Sequence, residues 1–312
     1  MVINSYAKLN LYLEVLSKRK DRYHSIKTIF ERINLRDKIT LRARQDKKIN
    51  VICSSPGIPK DSSKNLACRA AKLLQSSSKI NRGVDIRIIK RIPVAAGLGG
   101  GSSNAAAVLR GLNKLWRLNL TQDKLVAFAR KIGSDVPFFI YNIPFAEGRG
   151  RGDKIRPLRL LNHLKFWHIL VIPKKKVATE RIYKVWDSLK PKLTPLDRRR
   201  GTLKSGHLTG LTRTKYGVKI LNLALRKGDF TLIGKVLFNS LEQVTSKLYP
   251  EVGRIKEKFL HLGLKSILMS GSGPAVFGIV PSRKEALYLY RQLKEELKKQ
   301  DTSAQVFVTQ TS

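Results

Sequence analysis

The residues best suited to chemistry lie in one glycine-rich stretch between a strand pattern and a helix pattern. Residues 93–107 read PVAAGLGGGSSNAAA. Glycine lets the backbone adopt positive φ and lets an anion come close to main-chain N–H groups, and the free amides at a helix start carry partial positive charge. Serine hydroxyls can add contacts to phosphate or a metal ion. The stretch therefore predicts a polyphosphate-binding loop followed by a helix that Ser102, Ser103 or Asn104 caps, and the alternative is a glycine turn without a ligand.

Two common phosphate-binding motifs do not match this loop. A Walker A motif requires Ser or Thr after Gly-Lys, but Gly234-Lys235 is followed by Val236. A dinucleotide-binding fingerprint requires glycine where this chain has Ser102. The loop is therefore of a third type, with serines directly after its glycines.

Three other segments carry groups that could act on a phosphate or a hydroxyl. Lys8 and Asn10 share one face of a predicted strand, although that face could simply be exposed. Asp135 precedes Val-Pro at a predicted helix start, where a helix cap is the alternative role. Residues 271–273 form a second glycine turn between two strands. Phosphoryl transfer to an alcohol uses such a set, because amides and cations stabilise the moving charge and a carboxylate orients or deprotonates the acceptor.

The elements that must position these groups follow an α+β pattern. Strand patterns occupy residues 3–15, 29–33, 39–43, 49–53, 84–92, 166–172, 267–270, 275–280 and 306–309. Helix patterns occupy residues 65–74, 108–116, 121–133, 179–189, 218–226, 229–242, 251–262 and 283–299. Residues 56–63 are predicted to form a loop, residues 145–153 a turn rich in glycine and arginine, and residues 191–215 a long basic connection. We place a domain boundary between residues 1–158 and 159–312.

Composition supports a globular protein with an unusual charge. The 312 residues suffice for two domains, and 62 Lys and Arg against 22 Asp and Glu give a net charge of +40. This field attracts nucleotides, acidic metabolites and nucleic acid alike. The basic residues are spread along the chain with few interleaved aromatics, so we expect solvated surface charge and no specific nucleic-acid partner. Neither a secretory signal nor an apolar run of about 20 residues is present, so we expect no membrane partner and a cytoplasmic location.

The motifs together resemble a known superfamily. Residues 93–107 are similar to the central motif of the GHMP small-molecule kinases, named for galactokinase, homoserine, mevalonate and phosphomevalonate kinases, and residues 269–274 resemble their C-terminal glycine motif. Within that superfamily, four segments resemble the 4-diphosphocytidyl-2-C-methyl-D-erythritol kinases of the non-mevalonate isoprenoid pathway. They are AKLNL at 7–11, DRYH at 21–24, GLGGGSSN at 97–104 and GSDVP at 133–137.

The resemblance implies a fold and a reaction. The fold would be a two-domain α+β GHMP kinase fold, with an N-terminal ATP-binding domain like the second domain of ribosomal protein S5 and a ferredoxin-like C-terminal domain. The reaction would transfer the γ-phosphate of ATP, with Mg²⁺, to the 2-hydroxyl of the methylerythritol moiety of a small-molecule substrate.

The resemblance also implies roles for individual residues, while it assigns neither metal ligands nor an oligomeric state. Asp135 matches the catalytic carboxylate and Lys8 the lysine beside it. The residues matched to substrate binding are Asn10, Tyr23, His24, Thr179, Tyr183, Gly271, Ser272 and Gly273. The residues matched to ATP binding are Asn65, Leu66, Pro93, Gly97, Leu98, Gly99, Gly100, Gly101, Ser102, Ser103 and Asn104. An aromatic ring such as Tyr23 can stack on a pyrimidine, and His24 can hydrogen-bond its edge. Tyr183 is a second stacking candidate, with a core aromatic as the alternative.

One residue departs from the family pattern. Arg22 stands where these kinases commonly have glycine before Tyr-His, so its side chain would either clash with a tight turn or add a cation near a diphosphate. A homoserine or mevalonate kinase is an alternative function, against which Tyr23-His24 argues because those substrates have no base. An RNA-binding protein is a second alternative, based on the charge and the S5-like half.

Overall fold

A computed structural model of the chain describes residues 1–54, 65–189, 217–299 and 303–312. The loop predicted at 56–63 and the basic connection predicted at 191–215 lie outside these residues. The described residues form one seven-stranded and one four-stranded sheet, both packed against helices. This arrangement confirms the predicted α+β class.

The seven-stranded sheet carries one wall of the site. Its strands are β1 (Val2–Lys18), β2 (His24–Arg44), β3 (Ile49–Cys53), β4 (Gly83–Ile89), β5 (Phe145–Arg149), β6 (Lys154–Pro157) and β8 (Phe238–Asn239). They run in the order β3-β4-β2-β1-β8, with β5 paired to β2 and β6 to β5. Both faces of central β1 are covered, because Leu9 and Leu11 are buried and so are Lys8 and Asn10. The alternative of an exposed strand face at Lys8 and Asn10 was therefore wrong.

The helices of the first half are α1 (Leu66–Ser77), α2 (Gly100–Leu115), α3 (Gln122–Ile132) and α4 (Val136–Tyr141). Thr121 caps α3 as predicted, since its side chain accepts a hydrogen bond from the amide of Lys124. The predicted caps of α2 were wrong, because Ser102, Ser103 and Asn104 lie inside that helix and Gly99 precedes it.

The four-stranded sheet belongs to the second half. Its strands are β7 (Trp167–Pro173), β9 (Ile267–Met269), β10 (Val276–Val280) and β11 (Ala304–Gln310), in the antiparallel order β11-β7-β10-β9. This order places the fourth strand beside the first and the third beside the second, which is the ferredoxin-like arrangement that the resemblance implied. The helices are α5 (Thr179–Leu189), α6 (Gly217–Lys227), α7 (Phe230–Val236), α8 (Glu242–Leu248), α9 (Pro250–His261) and α10 (Arg283–Lys299), with a 3₁₀ turn at Arg159–Leu161.

Three predicted elements differ in the structure. The patterns at 29–33 and 39–43 belong to one 21-residue strand, β2, whose two parts pair with β1 without a break in the chain. The predicted helix at 229–242 is interrupted, because two residues within it form strand β8, which pairs with β1 at Tyr12 and Leu13. The predicted turn at 145–153 contains strand β5 and the turn of a hairpin, whose second strand, β6, follows at Lys154. A Cβ on Gly148 of β5 would lie 2.7 Å from the Phe30 ring, so this glycine serves close packing and not a turn.

The predicted domain boundary falls where the chain leaves the first sheet. All strands before residue 158 belong to that sheet, but β8 returns to it from the second half, and Thr311 bridges to Ile33 of β2. The division into residues 1–158 and 159–312 stays a prediction. Within the described ranges, no helix combines the length and apolar character needed to cross a bilayer. The cytoplasmic location also stays a prediction.

Candidate active site

A cavity of about 1240 Å³ is lined by residues of both halves of the chain. It brings together the predicted residues Lys8, Asn10, Tyr23, His24, Asn65, Leu66, Pro93, Gly97, Leu98, Gly99, Gly100, Gly101, Ser102, Asn104, Asp135, Thr179, Tyr183, Gly271 and Ser272. Ser103 and Gly273, which were also predicted, do not line it. Residues that are far apart in the sequence thus share one site, while their individual roles stay predictions.

The glycine loop presents the start of α2 to this cavity. Gly99 precedes the helix with a φ of 68°, and it provides no side chain to cap the first amides. These amides can therefore hydrogen-bond an anion. Asn65 and Leu66 lie on the same cavity at the start of α1. The Asn65 side chain caps α1 by accepting a hydrogen bond from the amide of Ala67 at 2.9 Å.

A buried carboxylate ties both ends of the loop together. Asp37 is 0% exposed, and it accepts hydrogen bonds from the amides of Arg91 at 2.7 Å and Ile92 at 2.9 Å. Its other oxygen pairs with the Lys90 ammonium and accepts a hydrogen bond from Asn104 Nδ2 at 2.8 Å. Arg91 and Ile92 precede the loop and Asn104 follows it. Asp37 therefore sets the spacing between the end of β4 and the start of α2.

The side chains of Ser103 and Asn104 are engaged by the protein. Ser5 donates a hydrogen bond from its hydroxyl to Ser103 Oγ at 2.7 Å, and Asn104 Nδ2 lies 2.8 Å from Ser5 Oγ. Both residues are buried, whereas Ser102 is only half-buried. Ser102 is thus the hydroxyl of this group best placed to reach a ligand, and direct ATP contacts of Ser103 and Asn104 stay predictions.

The catalytic candidates Lys8 and Asp135 meet at the cavity. The Lys8 ammonium lies 3.4 Å from Asp135 Oδ2 and 2.5 Å from Asn10 Oδ1, with side-chain exposures of 4% for Lys8 and 31% for Asp135. Asp135 precedes α4, yet its side chain makes no capping hydrogen bond. The helix-cap alternative for Asp135 was therefore wrong, and the carboxylate remains partly accessible beside a buried cation.

A bulge in β1 helps to hold this pair. The register with β2 shifts between Asn10 and Tyr12, so Leu11 is an extra residue, and such bulges re-aim neighbouring side chains. Asn10 Nδ2 donates a hydrogen bond to Thr28 Oγ1 at 2.8 Å, and Thr28 Oγ1 donates to the Tyr12 carbonyl at 2.6 Å. The Asn10 amide oxygen is thereby directed at Lys8, which limits where the ammonium can lie.

The second glycine turn closes the site from the other half. Asn239 Nδ2 donates hydrogen bonds to the carbonyls of Met269 and Gly271, both at 2.8 Å. Ser270 Oγ donates to the Gly97 carbonyl at 3.1 Å, and Ser272 Oγ lies 2.8 Å from Thr179 Oγ1. The turn therefore links the glycine loop to the start of α5. Gly273 lies behind it, where a Cβ would be 2.6 Å from Met269 Sδ.

The far end of the cavity is aromatic and charged. His24 stacks on Tyr183 with ring centroids 4.8 Å apart, and its Nε2 lies 2.7 Å from Asp187 Oδ1. Tyr23 is 51% exposed, and the Arg151 guanidinium lies 4.8 Å from its ring centroid. Burial, and then the charge of Asp135, raises the pKa of the Tyr183 hydroxyl well above its usual range. The Tyr183 hydroxyl therefore stays neutral and can donate a hydrogen bond.

The turn before Tyr23 explains the departure at Arg22. This arginine has a φ of 65°, in the left-handed region that glycine adopts without cost. A glycine at this position fits the same turn without strain, and Arg22 adopts the turn and lines the cavity. Of the two alternatives for Arg22, a clash with the turn was therefore wrong, and an added cation near a diphosphate stays a prediction.

Sequence reasoning missed Asp37 and Asp187. Asp187 follows Tyr183 by four residues, so helical spacing already places both on one face of α5 and could have found it. Asp37 carries no motif, because its partners lie directly after β4 and in α2 and are brought to it by the sheet register. Among the described residues, no group of three or more His, Cys, Asp or Glu could hold a metal ion.

Comparisons with known proteins agree with this fold. The GHMP kinases N terminal domain family matches residues 65–142, and the GHMP kinases C terminal family matches residues 221–299. A homoserine kinase from Cytophaga hutchinsonii ATCC 33406 shares the fold, with a TM-score of 0.68 at 19% identity over 99% of this chain and 94% of that one. The two domain families and the glycine loop define a GHMP kinase.

Two relatives narrow the family. A 4-diphosphocytidyl-2-C-methyl-D-erythritol kinase from Geobacillus sp. (strain WCH70) is 41% identical over 294 residues, which cover 94% of this chain and 93% of that protein. A crystal structure of 4-(cytidine 5'-diphospho)-2C-methyl-D-erythritol kinase has a TM-score of 0.74 and 30% identity, with 100% of both chains covered. The chain therefore belongs to the family of 4-diphosphocytidyl-2-C-methyl-D-erythritol kinases, as its motifs indicated.

Proposed function

We propose that this protein transfers the γ-phosphate of ATP to the 2-hydroxyl of 4-diphosphocytidyl-2-C-methyl-D-erythritol, in the non-mevalonate route to isoprenoid precursors. Family membership supports the reaction. The observation that carries the site assignment is the Lys8–Asp135 pair, 3.4 Å apart, on a cavity that also contains the glycine loop and the His24–Tyr183 stack. A cation, a carboxylate, free helix amides and a base-sized aromatic surface match the parts of this substrate pair.

The glycine loop would bind the triphosphate. The amides at the start of α2 supply donors for phosphate oxygens, and the Ser102 hydroxyl adds another. Asn65 and Leu66, at the start of α1, would lie at the adenine end. The substrate would occupy the other end, between Tyr23, His24 and the start of α5.

Mg²⁺ fits this site as an ion held chiefly by the nucleotide. The ion keeps several waters and binds through one or two protein oxygens plus substrate phosphates. Ser102 and Asp135 offer a hydroxyl and a carboxylate on the same cavity. When bound, Mg²⁺ would neutralise negative charge on the transferred phosphoryl group.

Asp135 and Lys8 would act on opposite partners of the transfer. Asp135 is the accessible carboxylate, so it accepts the hydrogen bond of the acceptor hydroxyl and orients that oxygen towards the γ-phosphate. Lys8 is buried and held by Asn10, so its ammonium offsets the charge that builds on the phosphoryl oxygens without reorganising. Phosphoryl transfer needs little early deprotonation, so orientation is the larger part of the aspartate's role.

A coupled ADP-release assay tests the reaction. We expect turnover with 4-diphosphocytidyl-2-C-methyl-D-erythritol and none above background with mevalonate or homoserine, because only the first carries a base for His24 and Tyr183. Turnover with homoserine or mevalonate alone would assign one of the alternative kinase functions. A lack of turnover with all three, together with tight and salt-dependent RNA binding, would instead favour the RNA-binding alternative.

The Asp135→Asn variant tests the carboxylate. We expect kcat to fall by about 10²–10⁴-fold, because the amide presents a donor as well as an acceptor to the substrate hydroxyl. The affinity for ATP should change little. Asp123→Asn is the matched control, because Asp123 is an exposed aspartate in the first turn of α3. Retained kcat in Asp135→Asn would remove this residue from the mechanism.

A further inference from the structure

The His24 ring is clamped by three side chains of one helix turn. Tyr183 stacks on its face at 4.8 Å and 24°, and Trp186 meets it edge-on at 5.7 Å and 86°. Asp187 Oδ1 lies 2.7 Å from its Nε2. Tyr183 and Asp187 are four residues apart on α5, so the same helix face fixes both the plane of the ring and its rotation within that plane.

The charge of Asp187 determines which ring nitrogen carries a proton. Its second oxygen accepts a hydrogen bond from Lys18 Nζ at 2.8 Å. Burial works to raise the pKa of Asp187, but the hydrogen bonds from Lys18 and His24 outweigh it and hold the pKa below its usual range. An ionised carboxylate can only accept hydrogen bonds, so His24 Nε2 must be the donor. In a neutral imidazole the other nitrogen, Nδ1, then has a free lone pair.

That lone pair is available to a ligand. None of the described residues makes a hydrogen bond to His24 Nδ1, and His24 lines the cavity. Cytosine presents an exocyclic amino donor at the position where uracil presents a carbonyl acceptor. A ring nitrogen that acts as an acceptor can form a hydrogen bond with the amino group of cytosine. Opposite the carbonyl oxygen of uracil, the same nitrogen would place one lone pair against another. The tautomer of the neutral His24 ring can therefore distinguish cytosine from uracil.

We infer that Asp187 is a positioning residue that makes this site selective for cytosine over uracil, because it holds His24 with the proton on Nε2 and the acceptor at Nδ1. The inference rests on the proposed function in one respect, namely that the base of the substrate lies beside His24. It adds a residue and a physical basis for the choice of base. Neither the glycine loop nor the Lys8–Asp135 pair takes part.

Competition by CMP and UMP measures this choice without a modified substrate. Both nucleotides are titrated against 4-diphosphocytidyl-2-C-methyl-D-erythritol in the ADP-release assay at saturating ATP. The wild-type protein should bind CMP roughly ten- to hundredfold more tightly than UMP, the range expected when one buried donor or acceptor is left unpaired. In Asp187→Ala the ratio should fall towards about one through weaker CMP binding, while KM for ATP is unchanged. An unchanged ratio in Asp187→Ala would overturn the inference.

Glu180→Gln is the matched control, because Glu180 is a carboxylate on the same helix and lines the same cavity, but it pairs with Lys184 and not with His24, and 80% of its side chain is exposed. It should keep the wild-type ratio. A loss of selectivity in Glu180→Gln equal to that in Asp187→Ala would mean that any charge change on α5 has this effect, which would also overturn the inference.

Histidine nitrogen NMR provides a readout that does not depend on activity. In ¹⁵N-histidine-labelled protein near neutral pH, the His24 signals, assigned by their loss in His24→Gln, should show Nε2 protonated and Nδ1 unprotonated. Asp187→Ala should shift them to a mixture of tautomers. A protonated Nδ1 in the wild-type protein would refute the inference even if the substrate is turned over. Absence of turnover would refute the proposed function and leave the tautomer result standing, so the two failures are distinguishable.

Discussion

Replacing Gly97 by alanine tests whether the glycine loop is locked against the second glycine turn. Gly97 has a φ of 76°, and a Cβ built on it would lie 2.1 Å from the carbonyl oxygen of Ser270 and 3.2 Å from that of Gly273. Both neighbours are backbone atoms, so no side-chain rotation can relieve the overlap. Either the loop or the opposing turn must move.

The structure allows the cost to be estimated. A non-glycine residue in the left-handed region costs about 1–2 kcal/mol, and forcing a methyl group into a packed contact costs about 1–3 kcal/mol. Alanine lowers the entropy of the unfolded chain and returns about 0.4–1 kcal/mol. We therefore expect Gly97→Ala to lower the free energy of unfolding by about 1–5 kcal/mol. Because Ser270 also contacts Asn10, kcat/KM for ATP should fall as well.

Gly101→Ala is the matched control in the same loop. The nearest atom to a Cβ at Gly101 is Leu66 Cδ1 at 3.6 Å, an ordinary contact, and the residue lies within α2. Alanine should therefore raise the free energy of unfolding by up to about 1 kcal/mol, the helix-propensity difference. Urea unfolding measures the stability of both variants, and the ADP-release assay measures their kcat/KM for ATP. Equal destabilisation by the two substitutions, or a Gly97→Ala protein as stable as the wild type, would refute the reasoning.

Other substitutions probe the turn at Arg22, the pH dependence of stability and the buried pair of Asp37 and Lys90. Arg22→Gly should raise the free energy of unfolding by up to about 1 kcal/mol, because relief of the left-handed strain exceeds the added unfolded-state entropy, and no increase in the urea midpoint would contradict this. Burial works to raise the pKa of Glu147, but hydrogen bonds from two arginines hold that pKa below its usual value. The ionised Glu147 therefore stabilises the fold above the unfolded-state pKa, and this stabilisation is lost as pH falls through the lower folded-state pKa. The stability difference between wild type and Glu147→Gln should therefore shrink between neutral pH and pH ~3, and a constant difference would rule this out. Asp37→Ala should cost about 3–5 kcal/mol because it leaves the Lys90 ammonium buried and unpaired, whereas Asp37→Ala combined with Lys90→Met should cost less than Asp37→Ala alone. Urea unfolding measures the stability of all three variants. If the loss of stability in the double variant equals the sum of the losses in the two single variants, the pair is not coupled.

Local chemistry in the sequence was sufficient for the functional motifs. Glycines followed by serines at the junction of a strand and a helix predict an anion-binding helix start regardless of the rest of the fold, and the loop lies there in the structure. Alternation on β1 likewise placed Lys8 and Asn10 on one face, and they are hydrogen-bonded. The placement of these residues was predicted correctly because it depends on residues close in sequence, while the anion-binding role of the helix start stays a prediction.

Contacts between distant segments could not be predicted in the same way. Asp37 meets Lys90 only because Lys38 of β2 lies opposite Ile89 of β4, a register that no local pattern specifies. The short strand β8 interrupts a helical pattern because pairing with β1 outweighs a weak helical preference. Gly148 indicated a turn because a glycine needed for packing looks the same in sequence as a glycine needed for a bend.

The two glycine turns act as one unit, and this changes how the site should respond to perturbation. The Gly97 carbonyl accepts a hydrogen bond from Ser270 Oγ, and the Ala96 carbonyl accepts one from the Ala275 amide at 3.3 Å. Ser272 in turn contacts Thr179 at the start of α5, the helix that holds His24. A displacement at the phosphate end can therefore reach the aromatic end through one short turn. Binding measurements on glycine-loop variants should consequently include CMP as well as ATP, because a change in CMP affinity would reveal coupling that ATP affinity alone cannot show.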